Sequence, residues 1–315
     1  MPESNVSKPY AAITLGSNSF NMLVANTVGN KPTVIAKYKR KVRLAEGIGD
    51  DGMLSEDVIM RGLDCLAMFA SMLKQHHIAS DNVAVFATAT LRVINNADEF
   101  HRRALPILQH PIEVISGLRE AELIYQGMVA TTQGDGRRLV IDIGGASTEF
   151  IIGDGNNVLF KTSVPMGCVL FNQRFFNQYP LQNIDFEQAI KYVNVMLSEH
   201  REQLLSLGWQ AVLGASGAVQ SVVSVLQHRQ RSAIITPKTL LAFRAEILAQ
   251  SDASLAGING LDAEQAPTFA AGVAILTALF ESLSISSLHL AGGALREGVL
   301  QLLADRIAAK QLDNQ

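Results

Sequence analysis

The chain has 315 residues, 48% of them apolar and 17% charged, with 24 Gly, 9 Pro and a formal net charge of −3. That length suits two domains of roughly 120 to 190 residues. The apolar content excludes a disordered polyelectrolyte, and the slightly acidic balance argues against a general nucleic-acid coat protein. The two cysteines, Cys65 and Cys168, are too few for a disulfide framework and lack the paired spacing of a zinc site, which fits a reducing, cytoplasmic setting. Met1 to Tyr10 is polar and carries no signature of a secretory leader. The longest apolar stretch, Phe269 to Phe280, is 12 residues long and reads as a buried core helix, not a membrane span.

In chain order, Tyr10 to Leu15 is a strand-like run, followed by the small-residue loop Gly16-Ser17-Asn18-Ser19 and a second strand. Lys37, Lys39, Lys41 and Arg43 share one parity and would project from one face of the next strand, either as a solvated face or as a track for a polyanion. Ser55, with Glu56 and Asp57 behind it, opens a helix whose apolar face includes Val58, Ile59, Leu63, Leu66, Phe69 and Leu73. Strands are expected at Val83 to Thr88 and Ile112 to Ser116, then a helix from about Arg119 to Thr131. Arg138 to Ile143 starts a second hairpin. A long helix is expected from Asp185, with Gln188 three residues on and Gly208 as its stop. Strands at Ala211 to Gly214 and Ser287 to Leu290 and a closing helix from Ala294 complete a layered α/β pattern.

The two hairpins align without a gap: Ala12 to Val24 lies over Val140 to Ile152 at a constant offset of 128 residues. A separation of that size is the length of a domain, not a solenoid period, and points to two related domains. Residues 1–125 are read as the first lobe, with its phosphate loop and basic strand. Residues 126–315 are read as the second, with the last helix left open to pack back on the first.

Small-residue loops between strands let backbone N–H groups approach phosphate oxygens. The loop at Ser17, Asn18 and Ser19 and the loop at Gly144, Gly145, Ala146 and Ser147 occupy matching positions, and their pairing favours phosphate binding over plain turns. Gly214-Ala215-Ser216-Gly217 and Gly292-Gly293-Ala294 each place small residues where a strand gives way to a helix, suited either to an anion or to close packing. Asp142 ends a buried strand beside its loop, Glu149 lies in the paired strand, and Glu120 begins the helix after Ser116-Gly117. These three could divide the tasks of holding Mg²⁺ and orienting a water; Glu120 reads equally as a first-turn carboxylate of a surface helix.

Leu15-Gly16-Ser17-Asn18-Ser19-Phe20, Thr90-Leu91-Arg92, Ile115-Ser116-Gly117, Ile141-Asp142-Ile143-Gly144-Gly145, Met166-Gly167-Cys168, Gly214-Ala215-Ser216-Gly217 and Gly293-Ala294-Leu295-Arg296-Glu297-Gly298 resemble, in that order, the motif set of the exopolyphosphatase and guanosine pentaphosphate phosphohydrolase (Ppx/GppA) family. The resemblance implies two ribonuclease-H-like α/β lobes of the actin, Hsp70 and acetate kinase superfamily, with an interlobe cleft. It also implies a short form without the appended helical domain of longer members.

Residue by residue, the resemblance assigns water activation to Glu120, phosphate neutralisation to Arg92 and Mg²⁺ to Asp142 with Glu149 nearby. It puts Ser17, Asn18, Ser19, Gly144, Gly145, Ala146 and Ser147 in the phosphate loops. Gly214, Ser216 and Gly217 match the superfamily's adenosine loop, and Lys41 and Arg43 would extend the polyanion track. The implied substrate is polyphosphate or guanosine pentaphosphate (pppGpp), and the implied assembly is a homodimer with no nucleic acid or membrane partner.

The chain departs from the family pattern in three places. Thr14 stands where an Asp is usual, Ala146 replaces a loop Gly, and Arg119-Glu120-Ala121-Glu122 stands where two adjacent acids followed by Ala-Arg are usual, so that Arg119 would weaken the basicity of Glu120 if the side chains met. Thr14 and Arg119 favour a ligand sensor that no longer turns over as the alternative to a hydrolase. An ATP-dependent kinase of the same superfamily would need an acceptor-activating Asp, for which no further carboxylate is evident. Cys168 has no accompanying His and reads as a packing residue.

Overall fold

The computed structural model describes residues 8–28 and 31–312. The segment read above for a secretory leader lies, up to Ser7, outside the described residues. From the N-terminus the elements are β1 (Tyr10–Leu15), β2 (Phe20–Val28), β3 (Lys31–Arg40), α1 (Glu56–Gln75), β4 (Val83–Ala87), α2 (Ala89–Val93), α3 (Ala97–Leu108), β5 (Glu113–Val114) and α4 (Gly117–Thr131). There follow β6 (Arg137–Ile143), β7 (Thr148–Asp154), β8 (Asn157–Val164), α5 (Cys168–Phe175), α6 (Asn183–Leu207), β9 (Ala211–Ala215), α7 (Ser216–His228), α8 (Pro237–Leu248), α9 (Ala266–Ser282), β10 (His289–Leu290) and α10 (Leu295–Leu312). Among the described residues, no helix is long and apolar enough to cross a membrane.

The chain divides into two compact units, residues up to Thr131 together with those from Gly293 onward, and Thr132–Gly292. The sequence reading drew its boundary after residue 125. In the structure α4 runs unbroken through Thr131, and α10 packs on α4.

In the first unit the sheet order is β3-β2-β1-β4-β5, with β1 antiparallel to β2 and parallel to β4. β1 is buried at every position, so it reads as a continuous apolar run and not as an alternating one. One face of the sheet (Ala11, Ile13, Leu15, Phe20, Met22, Val24) shares a core with Leu63, Leu66 and Phe69 of α1 and Phe100 of α3. The other face (Tyr10, Ala12, Leu23, Phe86) packs with Leu123 of α4 and Val299, Leu300 and Leu303 of α10. The two helices meet at glycines. A Cβ on Gly127 would lie 1.9 Å from the Ala294 carbonyl oxygen, and one on Gly298 would lie 1.9 Å from that of Leu123.

The second unit repeats this plan, with sheet order β10-β9-β6-β7-β8. Cross-strand partners keep the 128-residue offset seen in the sequence: Thr14 faces Asn21 as Asp142 faces Glu149, and Leu15 faces Phe20 as Ile143 faces Thr148. Even the irregularity recurs, since the β2–β3 ladder shifts register between Val24 and Ala25 and the β7–β8 ladder between Ile152 and Gly153. After the third strand the chain returns to the loop in both units, through Ala45 N–H to Ser17 O (3.0 Å) and Val169 N–H to Gly145 O (2.9 Å). Coincidence between two unrelated hairpins does not reproduce a bulge and a return contact. α9 is the buried core helix expected from Phe269 to Phe280, and α5, α6, α7 and α8 pack around it.

Some local expectations differ from the structure. α6 starts two residues before Asp185, because Gln182 is the N-cap and Asp185 its reciprocal partner: the Gln182 N–H donates to Asp185 Oδ2 at 2.7 Å. Gly208 ends the helix as expected. The basic face holds only through Lys37 and Lys39, since β3 ends at Arg40. Val42 then turns into the core and Arg43 adopts a left-handed conformation (φ 56°), so neither Lys41 nor Arg43 continues the strand's parity. Ser55 sits at the N-cap of α1 without a capping hydrogen bond and donates instead to Asp57 Oδ1. Cys65 and Cys168 are buried and not joined in a disulfide, and burial pushes the Cys65 thiol up to about 12.

A methyl group at position 298 has no room unless α10 moves away from α4. Gly298→Ala is expected to lower unfolding free energy by about 1–3 kcal/mol or more, as overpacked cores do, measured as a shift of the urea midpoint at constant m-value.

Candidate active site

The loop between β6 and β7 is set by its glycines. Gly144 N–H donates to Ser147 O (2.9 Å), and a Cβ on Gly144 would stand 3.1 Å from that oxygen. The carbonyls of Gly144 and Gly145 accept from Cys168 and Val169 N–H at the start of α5. Among the described residues, no backbone carbonyl accepts from the N–H groups of Gly145, Ala146 or Ser147. Donors left over in a glycine loop form an anion-binding concavity. Ala146 has no positive φ, so the replacement of a loop Gly there carries no backbone strain.

The equivalent loop of the first unit is built alike. Gly16 N–H donates to Ser19 O (3.1 Å), and the carbonyls of Ser17 and Asn18 accept from Ala45 and Arg43 N–H (3.0 and 2.9 Å). Arg43 thus supports this loop through its backbone, while its side chain lies 3.8 Å from Glu46.

Gly167, which the sequence reading quoted in a motif without a role, braces the second loop. A Cβ there would fall 2.4 Å from Gly145 C and Ala146 N. Only its motif position signalled it, because the close approach exists in three dimensions alone.

Beside the second loop, Asp142 and Glu149 are directly opposite each other on adjacent strands and both are buried. Such pairs hold their Cβ atoms about 5 Å apart, and like charges so placed repel unless something intervenes. Glu149 is oriented by Ser163 of β8, whose hydroxyl donates to Oε1 at 2.7 Å. Ser163 was not singled out, because no strand was read from the sequence after the second hairpin, where β8 lies. Mg²⁺ is bound by one or two carboxylates with phosphate and water completing its shell, so this donor set suits it. Among the described residues no group of three or more His, Cys, Asp or Glu forms a fuller cage. The matching row in the first unit reads Lys39, Asn21, Thr14 and carries no carboxylate.

Glu120 sits in the first turn of α4, 7% exposed, and not on a surface helix. Ser116 begins that turn, its carbonyl accepting from Glu120 N–H and its hydroxyl from Arg119 N–H. The cation at Glu120 is Arg92, whose Nη1 donates to Oε2 (2.9 Å) and to Ile115 O (2.8 Å). Arg119 pairs with Glu122 at 2.9 Å and not with Glu120. Adjacent helical residues diverge whereas i,i+3 residues meet, so the expected contact between positions 119 and 120 does not form.

Gly214 is a packing residue, its absent Cβ leaving room for Leu288 and Val219. Ala215 lies beside Asp142 across the β6–β9 ladder, and Ser216 and Gly217 open α7, with Ser216 left-handed (φ 65°) and open space at Gly217. At the N-terminus of α10, Ala294 N–H donates to Glu297 Oε2 (2.9 Å), so that donor is already used within the chain. The structure thus gathers Arg92 with Glu120 in the first unit, and Asp142, Glu149 and the Gly144–Ser147 loop in the second.

The sequence profile of the Ppx/GppA phosphatase family matches residues 23–306. The chain belongs to the Ppx/GppA phosphatase family. It is 42% identical to the guanosine-5'-triphosphate,3'-diphosphate pyrophosphatase of Aliivibrio fischeri strain MJ11, over 98% of this chain and 61% of that protein. It is 45% identical to the protein of the same name from Vibrio cholerae strain O395, over 94% and 59%. The chain therefore spans about 60% of the length of the curated relatives it matches. Among solved structures it is similar to an exopolyphosphatase from Cytophaga hutchinsonii (25% identity, TM-score 0.86, covering 95% of this chain and 98% of that one). It also shares its fold with the Aquifex aeolicus Ppx/GppA family member (22% identity, TM-score 0.77, 96% and 98%). The α/β fold read from the sequence is that of this family.

Because Gly167 has no space for a side chain, Gly167→Ala is expected to displace the Gly144–Ser147 loop. Amide hydrogen exchange at residues 145–147 should quicken while exchange in β1 and β4 of the other unit stays unchanged.

Proposed function

We propose that the chain is a phosphoanhydride hydrolase that releases terminal phosphate from inorganic polyphosphate, from pppGpp, or from both. The observation that carries this reading is Glu120, a buried carboxylate fixed by Arg92 at the start of α4. Its support from relatives is the pair of names above, a guanosine-5'-triphosphate,3'-diphosphate pyrophosphatase and an exopolyphosphatase.

In this reading Glu120 orients a water and accepts its proton as the water oxygen bonds to the terminal phosphorus and the bridging P–O bond breaks. The N–H groups of Gly145, Ala146 and Ser147 are assigned to binding phosphate oxygens of the ligand. The guanidinium of Arg92 holds the carboxylate in place and in its ionised, proton-accepting form, while lowering the basicity that a lone carboxylate would have. Asp142 and Glu149 would hold Mg²⁺, which neutralises phosphate oxygens when bound. Among the loop residues, Ser17, Asn18 and Ser19 are assigned to further phosphates of the chain, and Lys41 and Arg43 to the rim. The protein is read as cytoplasmic and homodimeric.

One observation favours a second reading. The row Thr14, Asn21, Lys39 carries no acid where the second unit has two, which suits a protein that binds such ligands without turning them over.

Phosphate release from long-chain polyphosphate and from pppGpp, measured separately with Mg²⁺, tests both. The hydrolase predicts release that falls by about 10²–10⁴ in Glu120→Gln, the range for loss of a general base. Undiminished release in the variant would remove Glu120 from the chemistry, and binding without release in the wild type would favour the sensor. Adding EDTA is expected to abolish release, and excess Mg²⁺ to restore it.

A further inference from the structure

Beside the phosphate loop of the second unit lies a cavity of about 350 Å³, lined by Pro165, Leu170, Phe171, Gln173, Arg174 and Tyr192. Ligand pockets begin at about this size, with mostly apolar walls and a few polar groups. Its position follows from the ladder. Val164 faces Thr148, the residue after the loop, and the Thr148 hydroxyl donates to Met166 O at 2.6 Å. Pro165 lies between those two anchored residues and only two positions before Gly167, whose backbone packs on the loop, so cavity and loop are within roughly 8 Å along the chain.

Arg174 distinguishes this cavity. Its guanidinium carbon lies 4.2 Å from the Tyr192 ring centroid and 5.4 Å from that of Phe175. Two other arginines stack on rings. Arg229 over Phe243 is also held by Glu246 through two hydrogen bonds, and Arg244 over Phe186 donates to Asn183 and lies 3.9 Å from Glu187. Among the described residues, Arg174 has neither a carboxylate nor a carbonyl partner. A guanidinium fixed on two rings keeps its planar fork pre-organised while its donors are unclaimed, and that fork matches a phosphate group bidentately.

We propose that this cavity is a second phosphate subsite, in which Arg174, seated on Tyr192 and Phe175, binds a phosphate group of the substrate other than the one released. The inference rests on the hydrolase reading for its substrate class. The group is either an internal phosphate of a polyphosphate chain or the 3′-diphosphate of a guanosine nucleotide.

Isothermal titration of guanosine 5′-diphosphate 3′-diphosphate and of polyphosphate of defined length, into wild type, Arg174→Ala and Arg174→Lys, separates the two sources. Arg174→Ala is expected to weaken at least one ligand roughly tenfold, as loss of a charge-assisted hydrogen bond does. Arg174→Lys restores only part, because an ammonium lacks the fork. Loss confined to the nucleotide assigns its 3′-diphosphate, and loss confined to polyphosphate assigns the chain. Should Arg174→Ala fail to fold, Arg174→Gln, which keeps most of the stem, replaces it. Unchanged affinity for both ligands overturns the subsite, whether or not the wild type releases phosphate. Absence of release from the wild type, with binding that depends on Arg174, would sink the hydrolase reading and leave the subsite standing.

Discussion

In each unit the central strand is buried on both faces, and this burial organises the rest. β1 and β6 have no solvent face on which to carry polar groups, so polar side chains collect at the ends of these strands, beside the small-residue loops. There the chain turns back and backbone donors are released from the ladder. The same constraint explains why the loop, the third strand and the following turn form one hydrogen-bonded unit. The returning residues Ala45 and Val169 each donate to a loop carbonyl, leaving loop N–H groups for other acceptors.

The two units share a backbone and differ in charge. Asp142 and Glu149 occupy the positions that Thr14 and Asn21 hold in the first unit, at the same strand register. One scaffold therefore presents a pair of carboxylates in the second unit and neutral side chains in the first, whose buried carboxylate is Glu120 on α4. Burial makes each choice consequential. A carboxylate in such a position must be neutralised or hydrogen-bonded, and Arg92 and Ser163 meet that need for Glu120 and Glu149.

Glycines do two kinds of work in the molecule. At positions 16 and 144 they tighten a turn around the carbonyl three residues on. At 127, 167, 214 and 298 they allow one element to approach another more closely than a Cβ permits. Of the two readings of the motif that ends in Gly298, close packing is present as the contact of α10 with α4.

By itself, the sequence determined the α/β class, the repeated hairpin, the two small-residue loops that join its strands and the buried helix α9. These follow from local periodicity, from the short-range chemistry of Gly, Ser and Asn, and from an alignment of two segments within one chain. Only the tertiary structure decided which side chains meet. It paired Glu120 with Arg92 across 28 positions instead of with its neighbour Arg119. It brought Ser163 to Glu149 through a shifted ladder, seated Gly167 against the loop and ended the basic strand before Lys41. Each of these depends on helical phase, strand register or a backbone approach between distant segments, and none of those is a property of a residue and its immediate neighbours.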